Sequence, residues 1–308
     1  MQNVKLSLRA EAESELDFVP LTIKSLSKLT PKLKESRAML CDYTPGGLLF
    51  GMRKLYSPII SSTPDAVFIS VRSDTDLCRE YMLPIGADIS SIDILYEHAK
   101  KNNDPLTVGA LPQYEAEMIA RRFHCGYEMT GELCDYVFDA KALATLEGSS
   151  YQTQRTNIRK LSREHESWSY ARIDKTNVGD AVAFANELFR GAVSDGSRFW
   201  QAGVDIVYDS LKNLDALDLV GGILYVDGAC AGVAVGFIKH EMLYIHVLRA
   251  KREIWGAWNL LCREFVADHQ SEIKYVNMED DLGNSGIRRM KMSYAPIEFI
   301  NRCKVKLV

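Results

Sequence analysis

The densest chemistry in the chain lies in one run, Asn277-Met278-Glu279-Asp280-Asp281-Leu282-Gly283-Asn284-Ser285-Gly286-Ile287-Arg288-Arg289-Met290-Lys291-Met292-Ser293-Tyr294-Ala295-Pro296. Three acids end an apolar stretch that reads as a strand, Gly283 permits a sharp turn, and Asn284 or Ser285 can cap a following helix. On that helix Arg288 and Lys291 stand three apart and share a face. Two cations held together repel unless negative charge lies between them, either the preceding acids or a bound anion. With an anion there, Arg288→Ala combined with Lys291→Ala would abolish binding or group transfer and leave thermal stability nearly unchanged. Tyr294 can serve as a proton donor if this helix ends at a pocket.

A second set, Arg249-Ala250-Lys251-Arg252-Glu253-Ile254-Trp255-Gly256-Ala257-Trp258, puts three cations in a turn from strand into helix. Unpaired N–H groups and the positive end of the helix dipole suit such a turn to a phosphate or pyrophosphate. Between Gln152 and Arg163, Arg155, Arg159 and Arg163 recur every four residues, Lys160 adds a charge and no acid intervenes. On a helix this is a basic stripe, either a solvated face or a track for a nucleic-acid backbone. In the strand before the turn, His240, Met242, Tyr244 and His246 alternate, which puts Tyr244 and His246 opposite Leu243, Ile245 and Val247. A histidine side chain ordinarily changes charge near neutrality, so His246 is either a general base or a satisfied structural histidine.

These groups need a framework, and 308 residues are enough for two ordinary domains. The 47% apolar and 25% charged composition is that of a globular protein and excludes collagenous or disordered readings. A net charge of -4 offers no global attraction to nucleic acid or anionic membrane, so any polyanion site must be a local patch. Seven scattered cysteines, with no Cys-x-x-Cys pair and no Cys/His grouping at zinc spacing, point to a reduced cytoplasmic protein without a metal site. Met1 to Phe18 lacks the apolar region of a signal peptide. Leu219 to Ile238 is apolar enough to suggest a membrane span, but its glycines and the Asp227-Gly228 turn signal read as two buried strands, leaving no transmembrane segment.

Periodicity orders the second half as β-α-α-β-β-β-α-β-α-β, from a strand at Trp168 to Ile173 to a last strand near Ile297 to Leu307. The first half reads as a similar series. Thr30 caps a helix with Pro31 at its first position, Leu48 to Val71 forms strands broken by turns, Ser91 to Lys101 and Gln113 to His124 are helices around a strand at Leu106 to Val108, and Cys134 to Phe138 closes the unit. The expectation is an α/β protein with a mixed sheet in two tandem units: residues 1–140, a linker helix region at 141–166, and 167–308.

The strand order with a basic turn after the fourth strand resembles the GNAT acyltransferase fold. The run from Tyr275 to Pro296, with Ala140 to Leu161 and Ile245 to Phe265, resembles the C-terminal domain of phosphatidylglycerol lysyltransferases and its stand-alone relatives, also catalogued as domain of unknown function 2156. The Asp-Asp-Leu-Gly to Arg-Arg-Met-Lys-Met-Ser-Tyr block is the most specific part, and the likeness covers most of the chain. It implies a tandem GNAT-type fold and, for the membrane-bound members, transfer of an aminoacyl group from charged tRNA to a lipid hydroxyl. Coenzyme A dependent GNAT enzymes have a turn resembling Arg/Gln-x-x-Gly-x-Gly/Ala. Here the nearest basic residue, Arg252, is four positions before Gly256, and Trp258 fills the small-residue position. The family pattern also has an acid where this chain has Leu248, and a Lys-Arg-Asn of which only Arg155 matches.

The resulting expectation is an acyltransferase. Its base is drawn from Glu279, Asp280, Asp281 or His246, and Arg288 and Lys291 meet developing charge together with Arg249 and Arg252, beside a proton donor at Tyr294. Arg249, Lys251, Arg252, Gly256, Ala257 and Arg155 contact the donor. No cofactor is tightly bound; the donor is a cosubstrate, aminoacyl-tRNA or acyl-coenzyme A, and the acceptor a small molecule, peptide or lipid. The rival readings are a coenzyme A dependent N-acyltransferase and a non-catalytic ligand-binding module. The first unit offers no rival donor site, since its matching turn, Leu83-Pro84-Ile85-Gly86-Ala87-Asp88, has an acid where a phosphate site needs cations.

Overall fold

The computed structural model describes residues 16–52, 57–72, 79–86, 90–195 and 198–307. Most of the Met1 to Phe18 stretch and the Ala87-Asp88 part of the first-half turn lie outside them. Among the described residues, twelve strands form one mixed sheet: β1 Val19–Pro20, β2 Ile59–Ser62, β3 Val67–Arg72, β4 Arg79–Tyr81, β5 Thr107–Pro112, β6 Glu128–Asp139, β7 Trp168–Arg172, β8 Val220–Val226, β9 Ala229–Lys239, β10 Met242–Ala250, β11 Tyr275–Asn277 and β12 Glu298–Lys306. Their order is β1-β2-β3-β4-β5-β12-β6-β11-β10-β9-β8-β7. The last strand therefore sits between β5 and β6 of the first half, antiparallel to both, while β6 reaches across to β11 of the second.

The α-helices of the described residues that cover the sheet are α1 Ile23–Glu35, α2 Pro45–Met52, α3 Ser91–Asn102, α4 Gln113–Arg122, α5 Ala140–Thr145, α6 Gln152–Glu164, α7 Val178–Asp195, α8 Arg198–Lys212, α9 Ala257–Asp268 and α10 Ser285–Met292. One face carries a single apolar core fed by α1, α2, α7 and α8, with β-strand residues from both halves such as Ile69 and Val235. On the other face α5, α6 and α9 pack over the second half, and α3 and α4 over the first. Val233 and Val235 face the shared core and Ala234 the opposite one, the period-2 alternation of a strand buried on both sides. The Leu219 to Ile238 stretch is indeed two strands, β8 and β9, and no helix among the described residues is long and apolar enough to cross a membrane.

Two-residue turns set the hairpins. Asp227 and Gly228 both have positive φ (49° and 77°), with Val226 paired to Ala229, as a tight hairpin twisted like its strands requires. His240 and Glu241 (48° and 60°) do the same between β9 and β10.

The second-half order is found as expected, and two first-half expectations are corrected. Thr30 caps nothing: α1 starts eight residues earlier at Thr22, in a reciprocal capping box with Ser25, while Pro31 lies inside the helix and the buried Thr30 hydroxyl bonds the Leu26 carbonyl at 3.0 Å. Pro31 forgoes the backbone bond to the Ser27 carbonyl inside the helix, while the apolar stripe Leu26, Leu29, Leu33 continues past it into the core. Leu48 to Met52 is helical, not extended, since α2 is drawn onto α1 and α8 by the shared core.

Candidate active site

The site begins where β10 and β11 part. The two run parallel only from Met242 opposite Tyr275 to Tyr244 opposite Asn277, after which β10 continues to Ala250 along β9 alone. A bulge between Ile245 and Val247 falls at His246. It reverses the alternation: Leu243 and Ile245 face the α9 side, but Val247 joins the opposite core, contrary to the expected grouping of the three. Re-aimed by the bulge, the His246 side chain is 2% exposed, and its Nδ1 bonds Oε1 of Glu279 at 2.5 Å. A Cβ built on Gly46 would fall 2.0 Å from the His246 ring, so α2 presses its backbone flat against the imidazole. Nε2 is buried without a hydrogen-bond partner among the described residues.

Glu279 reaches His246 from a strained turn. Its φ is 64°, and the Asn277 side chain accepts its N–H at 2.7 Å. The two other acids of the turn are committed elsewhere. The fully buried Asp281 receives Arg288 Nε at 2.7 Å, the Tyr136 hydroxyl at 2.7 Å and the Gly283 N–H at 2.9 Å. Arg288, against its desolvation, holds this carboxyl down at about 2. Asp280 takes Arg302 Nη1 at 3.0 Å.

The expected anion site on α10 is therefore corrected. Lys291 is buried and donates to the carbonyls of Met278 (2.6 Å), Glu279 (3.1 Å) and Asp280, pinning the acidic turn from below. Burial lowers its pKa, opposed by Glu279 and Asp280. The negative charge facing Arg288 and Lys291 is the protein's own. Tyr294 is likewise interior: its hydroxyl accepts from Asn259 Nδ2 at 2.5 Å, its carbonyl from the Tyr151 hydroxyl at 3.1 Å, and its ring packs edge-on against Trp258. Burial raises its pKa.

Beyond the wedge, the β10–α9 turn opens a hollow of about 670 Å³ lined by Arg249, Lys251, Arg252, Trp255, Gly256 and Asn259, with Asn157 of α6 and Glu187 of α7. Lys251 pairs with Glu187 at 3.1 Å. Burial, then the neighbouring Arg252 charge, lowers the pKa of Arg249, while Glu279 lies near enough to raise it. Gly256 has a φ of 88°, and a Cβ there would meet the Asn157 carbonyl oxygen at 2.3 Å. Its smallness thus seats α6 against the turn. Ala257 is fully buried beneath the same turn.

Two departures from the expected pattern have local explanations. Trp258 donates its indole N–H to the Leu248 carbonyl at 3.2 Å, closing the exposed edge of β10. At Leu248 the acid is absent, and the carboxylate that reaches His246 is Glu279, from the turn after β11. Arg155 is turned away from the hollow, bonding the carbonyls of Leu146 and Gly148 and the Gln152 side chain. The next residues of α6 reach the hollow instead: Asn157 accepts the Trp255 indole N–H at 3.0 Å, and Lys160 lies 5.1 Å over that ring.

Sequence reasoning missed the polar cluster below Glu279. Buried Asp135 on β6 accepts from the Cys41 N–H at 2.7 Å and Asn277 Nδ2 at 2.8 Å, with Arg302 of β12 at 3.5 Å. Arg302 also bonds Asp42 at 2.7 Å. Desolvation pushes the Asp135 carboxyl up to about 6 against the pull of Arg302. The available signal was an acid on the inward face of an apolar strand, two residues before Val137. Asp42, Glu279, Asp280 and Arg302 edge a second cavity, of about 390 Å³, whose other walls come mostly from the first half, with Leu282 and Lys304 from the second.

A parted parallel strand pair in a mixed sheet thus has a cationic strand-to-helix turn on one side and a histidine–carboxylate pair on the other. Residues 49–304 match the family described as phosphatidylglycerol lysyltransferase, C-terminal, and the chain belongs to that family. Among solved structures it is similar to a conserved protein of unknown function from Bacteroides thetaiotaomicron (24% identity, TM-score 0.82, covering 95% of this chain and 100% of that one). The C-terminal domain (DUF2156) of a protein described as a lysylphosphatidylglycerol synthetase from Agrobacterium fabrum shares the fold at 11% identity and TM-score 0.64, covering 93% of each chain. L-PGS from Bacillus licheniformis shares it at 13% and 0.60, covering 91% of each. An uncharacterised protein of Mycoplasmoides gallisepticum is 20% identical over 189 residues, 56% of either chain, so the chain spans about half the length of that curated relative. Family and fold together support an acyltransferase-like function.

Proposed function

We propose that this protein transfers an aminoacyl group from charged tRNA to an amine or hydroxyl acceptor. The observation that carries the reading is the hollow at the β10–α9 turn, where Arg249, Lys251 and Arg252 surround a helix N-terminus beside the His246–Glu279 pair. The cations receive the phosphates of the tRNA acceptor end, and exposed Arg159 and Arg163 extend the contact along α6. Glu279, which faces the second cavity, takes the acceptor's proton, and His246 is a positioning residue that fixes the carboxylate. Asp281, Arg288 and Lys291 hold the turn that presents Glu279. In this division of labour, residues 167–308 carry the donor site and residues 1–140 most of the acceptor wall, with 141–166 between them.

Coenzyme A is the rival donor, and Trp258 weighs against it. A pantetheine arm bonds along the open edge of the strand, but the indole already occupies the Leu248 carbonyl. The test is paired: retention of aminoacyl-tRNA on the immobilised protein across a salt series, and calorimetric titration with coenzyme A. Salt-sensitive retention that falls in Arg249→Gln is expected. Micromolar coenzyme A binding without tRNA retention would overturn the donor, and binding without turnover of any acyl donor would mark a ligand-binding module.

A further inference from the structure

We propose that Trp255 is a stacking platform for the adenine base that ends the acyl donor, held at the hollow of the β10–α9 turn. This rests on the transferase reading above and names a base-recognition subsite of the same site. An indole usually buries most of its surface, yet Trp255 is 54% exposed and lines the hollow. It is nevertheless fixed. Its N–H donates to Asn157 Oδ1 at 3.0 Å, Asn157 Nδ2 donates to Asn259 Oδ1 at 3.1 Å, and Asn259 Nδ2 donates to the buried Tyr294 hydroxyl at 2.5 Å. The close seating of Gly256 on the Asn157 carbonyl keeps α6 in register with this chain of bonds.

The ring's one hydrogen-bonding atom is thus spent on the protein, and what remains for a ligand is π surface. Lys160 Nζ, which also pairs with Glu164 at 3.7 Å, lies 5.1 Å from the ring centroid on one side, and the base takes the other. A flat aromatic group gains most there. A phosphate gains nothing from a ring face, whose electron density repels it, and an alkyl chain gains area alone. A stacked base keeps its polar edge in water while its face leaves it, so little desolvation of polar groups opposes the contact. Trp255 stands three residues after Arg252 in one turn, so the base and phosphate of a single nucleotide meet adjoining parts of it. Charged tRNA and coenzyme A both end in an adenosine, and the ring recognises what the two share.

Fluorescence anisotropy with a labelled RNA minihelix ending in single-stranded CCA, against one whose terminal nucleotide is abasic, isolates the base. With the full chain, the CCA form is expected to bind about tenfold more tightly. Trp255→Ala should erase that difference, and Trp255→Phe, which keeps a ring, should retain most of it. Trp255→Leu gives the same reading should Trp255→Ala fail to fold. Equal binding of the two minihelices overturns the proposal, as does a difference that survives removal of the ring or vanishes equally in Trp255→Phe. Equal but salt-sensitive binding would leave the tRNA reading standing without the platform. Where neither minihelix binds, the tRNA reading fails and coenzyme A decides: a calorimetric titration that weakens in Trp255→Ala keeps the platform with the rival donor, and one that is unchanged or silent overturns it.

Discussion

Two basic segments, each following a strand, met opposite fates. On α10, Arg288 and Lys291 turn back onto the acidic turn that precedes them: Arg288 onto the carboxylate of buried Asp281, Lys291 onto three carbonyls. On the β10–α9 turn, Arg249, Lys251 and Arg252 line open space. A cation within one turn of its own strand-end acids forms a local scaffold. One separated from such acids by a strand that has left its neighbour keeps room for a ligand. The same residue types therefore brace a turn in the first case and line a hollow in the second, and what separates them is where the sheet parts.

The comparison can be broken most sharply at the turn between the two segments. Glu279→Gln should reduce transfer by about 10²- to 10⁴-fold, the usual worth of a positioned acid or base, with a melting temperature near wild type; a rate within a few-fold of wild type would remove Glu279 from the chemistry. The next effect is on stability. Asp281→Ala strips the partner from Arg288 and should cost about 3 kcal/mol, and Lys291→Met leaves buried carbonyls unpaired at about 1–3 kcal/mol, both read by denaturant unfolding. This reverses the expectation that removing the α10 cations spares stability, and a near-neutral Lys291→Met would restore it.

A third contrast is between two carboxylates under acid. Asp135, with its folded pKa raised from 3.8 to about 6, binds a proton in the folded state before the unfolded chain does, so its contribution to stability falls as pH rises through 3.8 to 6. Asp281, lowered from 3.8 to about 2, stabilises the fold above 3.8 and loses that contribution as pH falls toward 2. Unfolding measured across both windows should show slopes of opposite sign, with the upper one missing in Asp135→Asn. The smallest effect is expected on α6, where Arg159→Ala should lower the log–log salt slope of tRNA binding by about 0.7 to 0.9, while Arg155→Ala should leave the slope alone and loosen the Leu146–Gly148 turn. Equal slopes for the two variants would erase the distinction drawn between them.

Much of this was legible locally. The order of the second half, the Asp227-Gly228 hairpin, the Asn284 cap of α10 and the cationic start of α9 follow from periodicity and turn chemistry, which act over a few residues. Legibility failed where a distant partner decided. Pro31 reads as a helix start until the core on both sides of it is known, and the β10 alternation reads evenly because a bulge leaves no mark in residue type. Asp135, Asp42 and Arg302 looked unrelated at their separations along the chain, and Gly46 carried no hint of His246.

The sequence by itself determined the elements, the family and the inventory of ionisable groups, because these depend on residue type and short spacing. Only the tertiary structure decided which of those groups are spent on one another. Seating β12 between β5 and β6 brings Arg302 onto Asp42, Asp135 and Asp280, and parting β10 from β11 leaves Glu279 facing a cavity. Charge pairing falls off over a few ångströms, so the allocation of partners is a property of strand order, which no local pattern encodes.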